Sequence, residues 1–287
     1  MLDAAGRADS PDGLAERAEV GRAVIDSLAA AGIVVPADEL PAADHWSTHE
    51  LIVQRTAGGG RARAGLDLTA MPPMRKGSWS GRVIELPAPA PPALGLAEAL
   101  ARRRSQRRFA AGPLELAELG SLLAGAAGVQ SAEPADGVSF RPHASGGGRH
   151  PLEITVIAER VRGLERGVYW FDAFDRTLHE RDVDLGRLDE VAAQLGGSLG
   201  LDHPCDAPAI LLVTAVFART LWKYEGLGLG LVYRDTGCLL QTLHLVTTGL
   251  GLAGSPAQLR GELVFSRWLG LDPNEEGLVG CFIAGRP

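Results

Sequence analysis

Arg102-Arg103-Arg104-Ser105-Gln106-Arg107-Arg108-Phe109 sets five guanidiniums and a hydroxyl within eight residues. The run ends a helical pattern over residues 94–104 and precedes a second one. Pro113 opens that second helix, with Leu116, Leu119, Leu122 and Leu123 on one face. Arginine offers a rigid fork of donors that matches phosphate oxygens. A hydroxyl and several such forks at a helix end therefore suit an anion. The same composition also fits a solvated basic helix face.

Working outward, Ala144-Ser145-Gly146-Gly147-Gly148-Arg149-His150-Pro151-Leu152-Glu153 is a glycine-rich loop feeding a strand over 152–158. Glycine lets backbone approach a flat or charged ligand closely. A mobile surface loop is the bland alternative, and the loop's entry into a core strand weighs against it. Residues 167–171 and 177–181 read as short paired strands. Residues 185–195 read as a helix and 209–217 as a fully buried central strand. A long helix is expected over 231–250, a last helix near 259–269 and a closing strand over 278–284. Trp222-Lys223-Tyr224 follows the central strand. A Lys-Tyr pair there suits proton transfer, provided desolvation or a neighbouring cation lowers one pKa. A surface lysine beside an anchoring tyrosine is the alternative.

Two motifs fail on context. Gly249-Leu250-Gly251-Leu252-Ala253-Gly254 matches G-x-G-x-x-G but closes a helix, where a dinucleotide site must follow a strand. Gly196-Gly197-Ser198-Leu199-Gly200 matches a nucleophile elbow but also ends a helical stretch. His203 and Cys205, beside Asp202 and Asp206, lack a second cluster at zinc spacing, so no metal is expected.

On the N-terminal side, Val20, Val24, Ile25 and Leu28 recur at helical steps, so 14–32 reads as a helix stopped by Gly32. The first ten or so residues read as frayed. Residues 46–55 fit helix or strand, broken at Gly58-Gly59-Gly60. Pro72, Pro73, Pro87, Pro89, Pro91 and Pro92 make 70–93 a stiff, extended connector. An N-terminal accessory region over 1–90 and a main domain over 91–287 follow.

The chain has 287 residues, which fits two domains, or one with an extension. Its net charge of −7 argues against a non-specific nucleic-acid binder. With 37 glycines and 5% aromatics, the core is expected to be Leu, Val and Ala. Cys205, Cys238 and Cys281 form no C-x-x-C and read as buried thiols in a reducing cytosol. The N-terminus carries Asp3, Asp9, Asp12, Glu16 and Glu19 and no signal-peptide apolar core. The longest apolar run, 208–218, is about half a bilayer span. A soluble, cytoplasmic protein with no membrane partner is expected.

Taken in order, these motifs resemble the nitroreductase-like flavoenzymes, and within them the SagB-type azoline dehydrogenases of thiazole/oxazole-modified peptide pathways. The resemblance covers residues 94–287. Arg103, Arg104, Ser105 and Arg107 with Phe109 resemble the R-R-S-x-R-x-F signature that holds the FMN phosphate and ribityl chain. Residues 113–119 resemble the family's following helix. Ser145, Gly147 and Pro151-Leu152-Glu153 resemble its S-x-G-x-x-x-P-L-E segment near the flavin ring. Lys223-Tyr224 is similar to the family's Lys-Tyr motif, and Asp235 with Gly237 to the D-x-G that opens its long helix. Gly249-Leu250-Gly251 matches the end of that helix, and Gly285-Arg286-Pro287 the terminal Gly-x-Pro.

The resemblance implies an α+β, nitroreductase-like FMN-binding sandwich, a central antiparallel-mixed sheet flanked by helices, with a small N-terminal extension. It implies a homodimer and oxidation of a thiazoline or oxazoline in a precursor peptide. Lys223 or Tyr224 would act as base. Arg149, Gly254 and Arg286 would join the cofactor contacts. The N-terminal region would clamp the peptide or dock a partner such as the cyclodehydratase. The sequence departs from the pattern at Leu227, Leu229 and Gly230, where an Arg and a Tyr-Arg pair are usual, and at Ala144, Cys238 and Thr242. These departures leave another small metabolite as substrate, or a flavin-free precursor-binding scaffold, as alternatives.

Overall fold

A computed structural model describes residues 11–17, 21–30, 60–77 and 81–287. Two compact units divide it: residues 1–66 with 223–230, and 67–222 with 231–287. The second unit is built on one sheet. Its strands are β1 (Val83–Glu85), β2 (Leu152–Ala158), β3 (Gly167–Asp172), β4 (Thr177–Arg181), β5 (Ala209–Val216), β6 (Ala253–Ala257) and β7 (Glu276–Gly285). They lie in the order β6-β7-β5-β2-β3-β4-β1, every neighbour antiparallel. Around the sheet run α1 (Leu96–Arg102), α2 (Leu116–Ala127), α3 (Leu188–Ser198), α4 (Phe217–Leu221), α5 (Gly228–Gly249) and α6 (Glu262–Trp268).

The apolar run of β5 explains the layering. Side chains alternate across a strand, so Leu211, Val213 and Ala215 enter one core while Ile210 and Leu212 enter the other. The first core takes Leu119, Leu122 and Leu123 of α2 and Val232, Leu239 and Leu243 of α5. The second takes Leu188, Val191 and Leu195 of α3 and Phe265 of α6. Helices on both faces of an antiparallel sheet give the α+β sandwich expected.

Several boundaries differ from the expected ones for local reasons. The helix expected at Pro113 starts at Leu116, because Glu115 and Glu118 close a reciprocal capping box. Leu114 and Glu115 instead pair in parallel with Val161 and Arg162. β6, of sequence Ala-Gly-Ser-Pro-Ala, carries no apolar alternation and was not expected; as an edge strand it tolerates its proline. The connector is not outside the main unit. Val83–Glu85 completes the sheet edge, the Ala90 N–H donates to Ser121 Oγ at 2.9 Å, and the Ala93 N–H donates to the Gly249 carbonyl at 2.9 Å. The connector's contacts group residues 67–93 with the second unit.

In the first unit, the helix expected over 14–32 is two helices, Pro11–Arg17 and Arg22–Ala30, the second burying Ile25. Residues 1–10, Gly32 and 46–59 lie outside the described residues. Arg61–Ala62 pairs antiparallel with Tyr224–Glu225.

Candidate functional site

α1 ends at Arg102, and Arg103 leaves the helix with φ −50° and ψ 121°. The chain then runs from 103 to 110 without a turn. Three hydrogen bonds pin it. His244 of α5 bonds the Arg104 carbonyl through Nε2 at 2.9 Å. The Gln106 N–H donates to the Gly254 carbonyl at 3.0 Å, and the Ala110 N–H donates to the Arg286 carbonyl at 2.9 Å. Arg104 donates to the Ala101 and Arg103 carbonyls, and with Gln106 and Gly254 it lines a cavity of about 300 Å³. The side chains of Arg103, Ser105 and Arg107 have no polar partner among the described residues. Two uncommitted guanidiniums flanking a hydroxyl fit a phosphate monoester.

The glycine-rich loop is tied to the other end of α5. Ser145 Oγ donates to Asp235 at 2.5 Å and accepts from the His150 N–H at 2.9 Å; the Gly146 N–H donates to Asp235 at 3.0 Å. Burial raises the Asp235 pKa, opposed by the Ser145 and Gly146 bonds. Gly147 is exposed at φ +64°, a left-handed conformation that glycine adopts freely. Ser145 is thus engaged in holding the loop shape, and Gly147 presents bare backbone.

Beneath this loop lies a buried polar network. Arg149 is 1% exposed; its Nε donates to the Arg219 carbonyl at 2.9 Å, its Nη2 to the Pro72 carbonyl at 3.1 Å and its Nη1 to Gly137. These three carbonyls hold the guanidinium to which the sequence assigns a cofactor contact. Arg219 pairs with Glu153 at 2.6 Å and donates to the Pro73 carbonyl at 2.9 Å. Trp170 Nε1 donates to Glu153 at 2.9 Å. Arg75 pairs with Asp172 and Lys76 with Glu276, so residues 72–76 are strapped onto the unit by backbone and side chain alike.

His143 and His150 meet edge to face in the same region, their nitrogens 3.3 Å apart. Burial, reinforced by Arg141, lowers the His143 pKa to about 4 and the His150 pKa to about 3. Both rings are neutral in the folded state and ordinary in the unfolded chain, which binds the extra protons as pH falls below about 6.5. Stability is therefore full above pH 6.5 and declines as the pH falls through the window toward 4. The expected loss is about 1.4 kcal/mol per pH unit for each histidine. A melting temperature flat between pH 7 and 5, where most carboxylates stay ionised, would contradict it.

The remaining candidates are placed as follows. Arg286 donates to Glu118 through Nε and Nη2 at 3.0–3.1 Å, so its charge is already matched. Gly254 has a packing reason to be glycine: a Cβ there would lie 2.8 Å from the Phe282 ring. Lys223 and Tyr224 belong to the first unit, where Tyr224 pairs with Ala62 and the Arg63 N–H donates to the Lys223 carbonyl at 2.9 Å. Lys223 Nζ sits 6.0 Å from the centre of the Tyr224 ring. The two glycine decoys do close helices, at Gly249 and Ser198. Among the described residues no cluster of His, Cys, Asp and Glu is placed to hold a metal ion, and no helix is long and apolar enough to cross a membrane. Sequence reasoning missed His244, Arg219 and Arg141. His244 is a single polar residue between Leu243 and Leu245, the one signal available.

The Nitroreductase family model matches residues 100–286. A protein of Methanocaldococcus jannaschii named as a nitroreductase is 32% identical over 177 residues, 60% of this chain and 82% of that one. The fold resembles a structure named as a nitroreductase from Ralstonia eutropha, with a TM-score of 0.57 at 22% identity, over 79% of this chain and 97% of that one. It also resembles a chain of the E. coli microcin synthetase McbBCD complex with truncated pro-MccB17 bound. There the TM-score is 0.52 at 19% identity, over 66% of this chain and 72% of that one. A family model spanning most of the chain and a sheet flanked by helices agree, and the chain belongs to the Nitroreductase family of oxidoreductases.

Proposed function

We propose that the protein binds FMN and oxidises a thiazoline or oxazoline of a ribosomally made precursor peptide to the azole. The observation that carries the cofactor half is the pinned run that leaves Arg103, Ser105 and Arg107 without partners. Family membership supports the same half, since nitroreductase-family enzymes use FMN. Arg103 and Arg107 would take the phosphate oxygens and Ser105 would donate its hydroxyl. Gly147 would let backbone approach the ring system. Bound FMN supplies a two-electron acceptor, which amino-acid side chains lack.

Lys223-Tyr224 supports the substrate half, together with the fold shared with a chain of a peptide-bound microcin synthetase. In this reading one of the two, through Lys223 Nζ or Tyr224 Oη, removes the ring Cα proton, and the other polarises the ring nitrogen. The azoline-bearing precursor, a second copy of the chain and a cyclodehydratase partner belong to the same proposal, with the N-terminal region as clamp or docking element and the cytoplasm as location. α5 leaves Tyr233, Arg234 and Cys238 exposed for a second copy to cover; of the three cysteines expected to be buried, Cys205 and Cys281 are and Cys238 is not.

The test is mass spectrometry of an azoline peptide incubated with the flavin-loaded protein, reading the loss of two hydrogens per ring. Lys223→Ala and Tyr224→Phe are expected to slow that loss by at least about tenfold. Wild-type rates in both variants would remove the pair from the mechanism. Leu227, Leu229 and Gly230, which replace the usual arginines and tyrosine, favour a second reading: oxidation or reduction of another small metabolite. Flavin turnover with such compounds and none with azoline peptides would select it. A colourless protein that also refuses added FMN would select the scaffold.

A further inference from the structure

The arginine run is held at three points, and two of them are backbone to backbone. The third is a side chain. His244 is 3% exposed, lies edge to face with Phe282 at 5.7 Å, and meets the Arg104 carbonyl at 2.9 Å. A carbonyl only accepts, so Nε2 must carry the proton and donate. Burial, with help from Arg103, lowers the His244 pKa and keeps the ring neutral, although the Arg104 bond opposes the shift.

The carbonyl it holds sits between the residues that matter. That carbonyl belongs to the peptide joining Arg104 to Ser105, so a rotation of its plane re-aims Ser105 and the path of the run from Arg103 to Arg107 across it. α5 also carries Asp235, nine residues earlier, which bonds Ser145 and Gly146. Nine residues are two and a half turns, about 13.5 Å of axis and half a revolution. The glycine-rich loop and the arginine run are thus held from opposite sides of one helix.

We propose that His244 is a positioning residue for the phosphate face of the arginine run, fixing the Arg104 peptide so that Arg103, Ser105 and Arg107 converge on one phosphate. The inference rests on the FMN reading above. It separates phosphate recognition from flavin-ring recognition, because riboflavin carries the ring and ribityl chain without the phosphate.

The experiment is a fluorescence titration of flavin-stripped protein with FMN and with riboflavin. His244→Leu is expected to weaken FMN binding about tenfold and leave riboflavin binding unchanged. His244→Gln, whose amide nitrogen reaches where Nε2 stood, is expected to retain wild-type preference within about twofold. Should the leucine variant not fold, His244→Asn, with an amide too short to reach, takes its place with the same expectation. An unchanged preference in the leucine or asparagine variant overturns the role. Equal weakening of both flavins, or a glutamine variant as weak as leucine, overturns it too. A wild-type protein that binds neither flavin overturns the FMN reading itself.

Discussion

Replacing Arg103 and Arg107 together by alanine is expected to yield protein that purifies without flavin. Neither guanidinium has an acidic partner among the described residues, so in the proposed complex both are free for phosphate. A charge-assisted hydrogen bond contributes about 1.5–3 kcal/mol. Arg107 is exposed and Arg103 half-buried, so solvent and salt hold each to the low end of that range. The pair then contributes about 3 kcal/mol, more than a hundredfold in Kd. The flavin-to-protein absorbance ratio and an FMN titration both read this. Arg286→Ala is the contrasting variant. Its guanidinium is occupied by Glu118, so FMN affinity is expected to stay within a few-fold of wild type. Flavin retained by the double variant at the wild-type ratio would remove the arginine run from the cofactor site.

The second large effect is on stability. Glu153→Leu takes away the only carboxylate paired with Arg219 among the described residues. Both side chains are nearly inaccessible, at 1% for Arg219 and 6% for Glu153. The guanidinium keeps its bonds to the Pro73 and His150 carbonyls but loses its counter-charge, and the Trp170 indole N–H loses its acceptor. Breaking a buried pair from one side costs about 3–5 kcal/mol. For a unit of this size that lowers the melting temperature by about 10 °C. Glu153→Gln keeps hydrogen-bond acceptors without the charge and is expected to fall between. A leucine variant melting within about 2 °C of wild type would show that the pair is dispensable.

Glu153 shows what could and could not be read in the residues. Its place after Pro151-Leu152 marked the strand and the family-like segment correctly, since β2 begins at Leu152. Nothing in that segment revealed that its carboxylate turns inward to Arg219, which lies 66 residues further on. A strand buried on both faces, such as β5, was legible because its unbroken apolar run is a local signal. β1 and β6 were not, because edge strands need only free backbone hydrogen-bonding groups and a willing neighbour. The arginine run was legible as a charge cluster. Which arginines of the chain are committed was not: Arg286, outside that run, is matched by Glu118 from 168 residues away. Arg149 stood beside the glycine-rich loop in sequence, yet its guanidinium goes inward to carbonyls at Gly137, Pro72 and Arg219. Sequence adjacency to a loop places a backbone; it does not aim a long side chain.

The carbonyls of Pro72 and Pro73 carry a consequence for how the chain reaches this state. They are met by Arg149 and Arg219, 77 and 146 residues later. Closing such wide loops costs entropy before any bond repays it, and contacts of large sequence separation slow folding. Residues 72–73 leave the ribosome long before either arginine exists. The segment waits, unpaired, until β2 and β5 are laid side by side and bring both guanidiniums to it. Its docking is therefore among the last steps of assembly, and a weakened strap should hasten unfolding while leaving the folding rate nearly untouched.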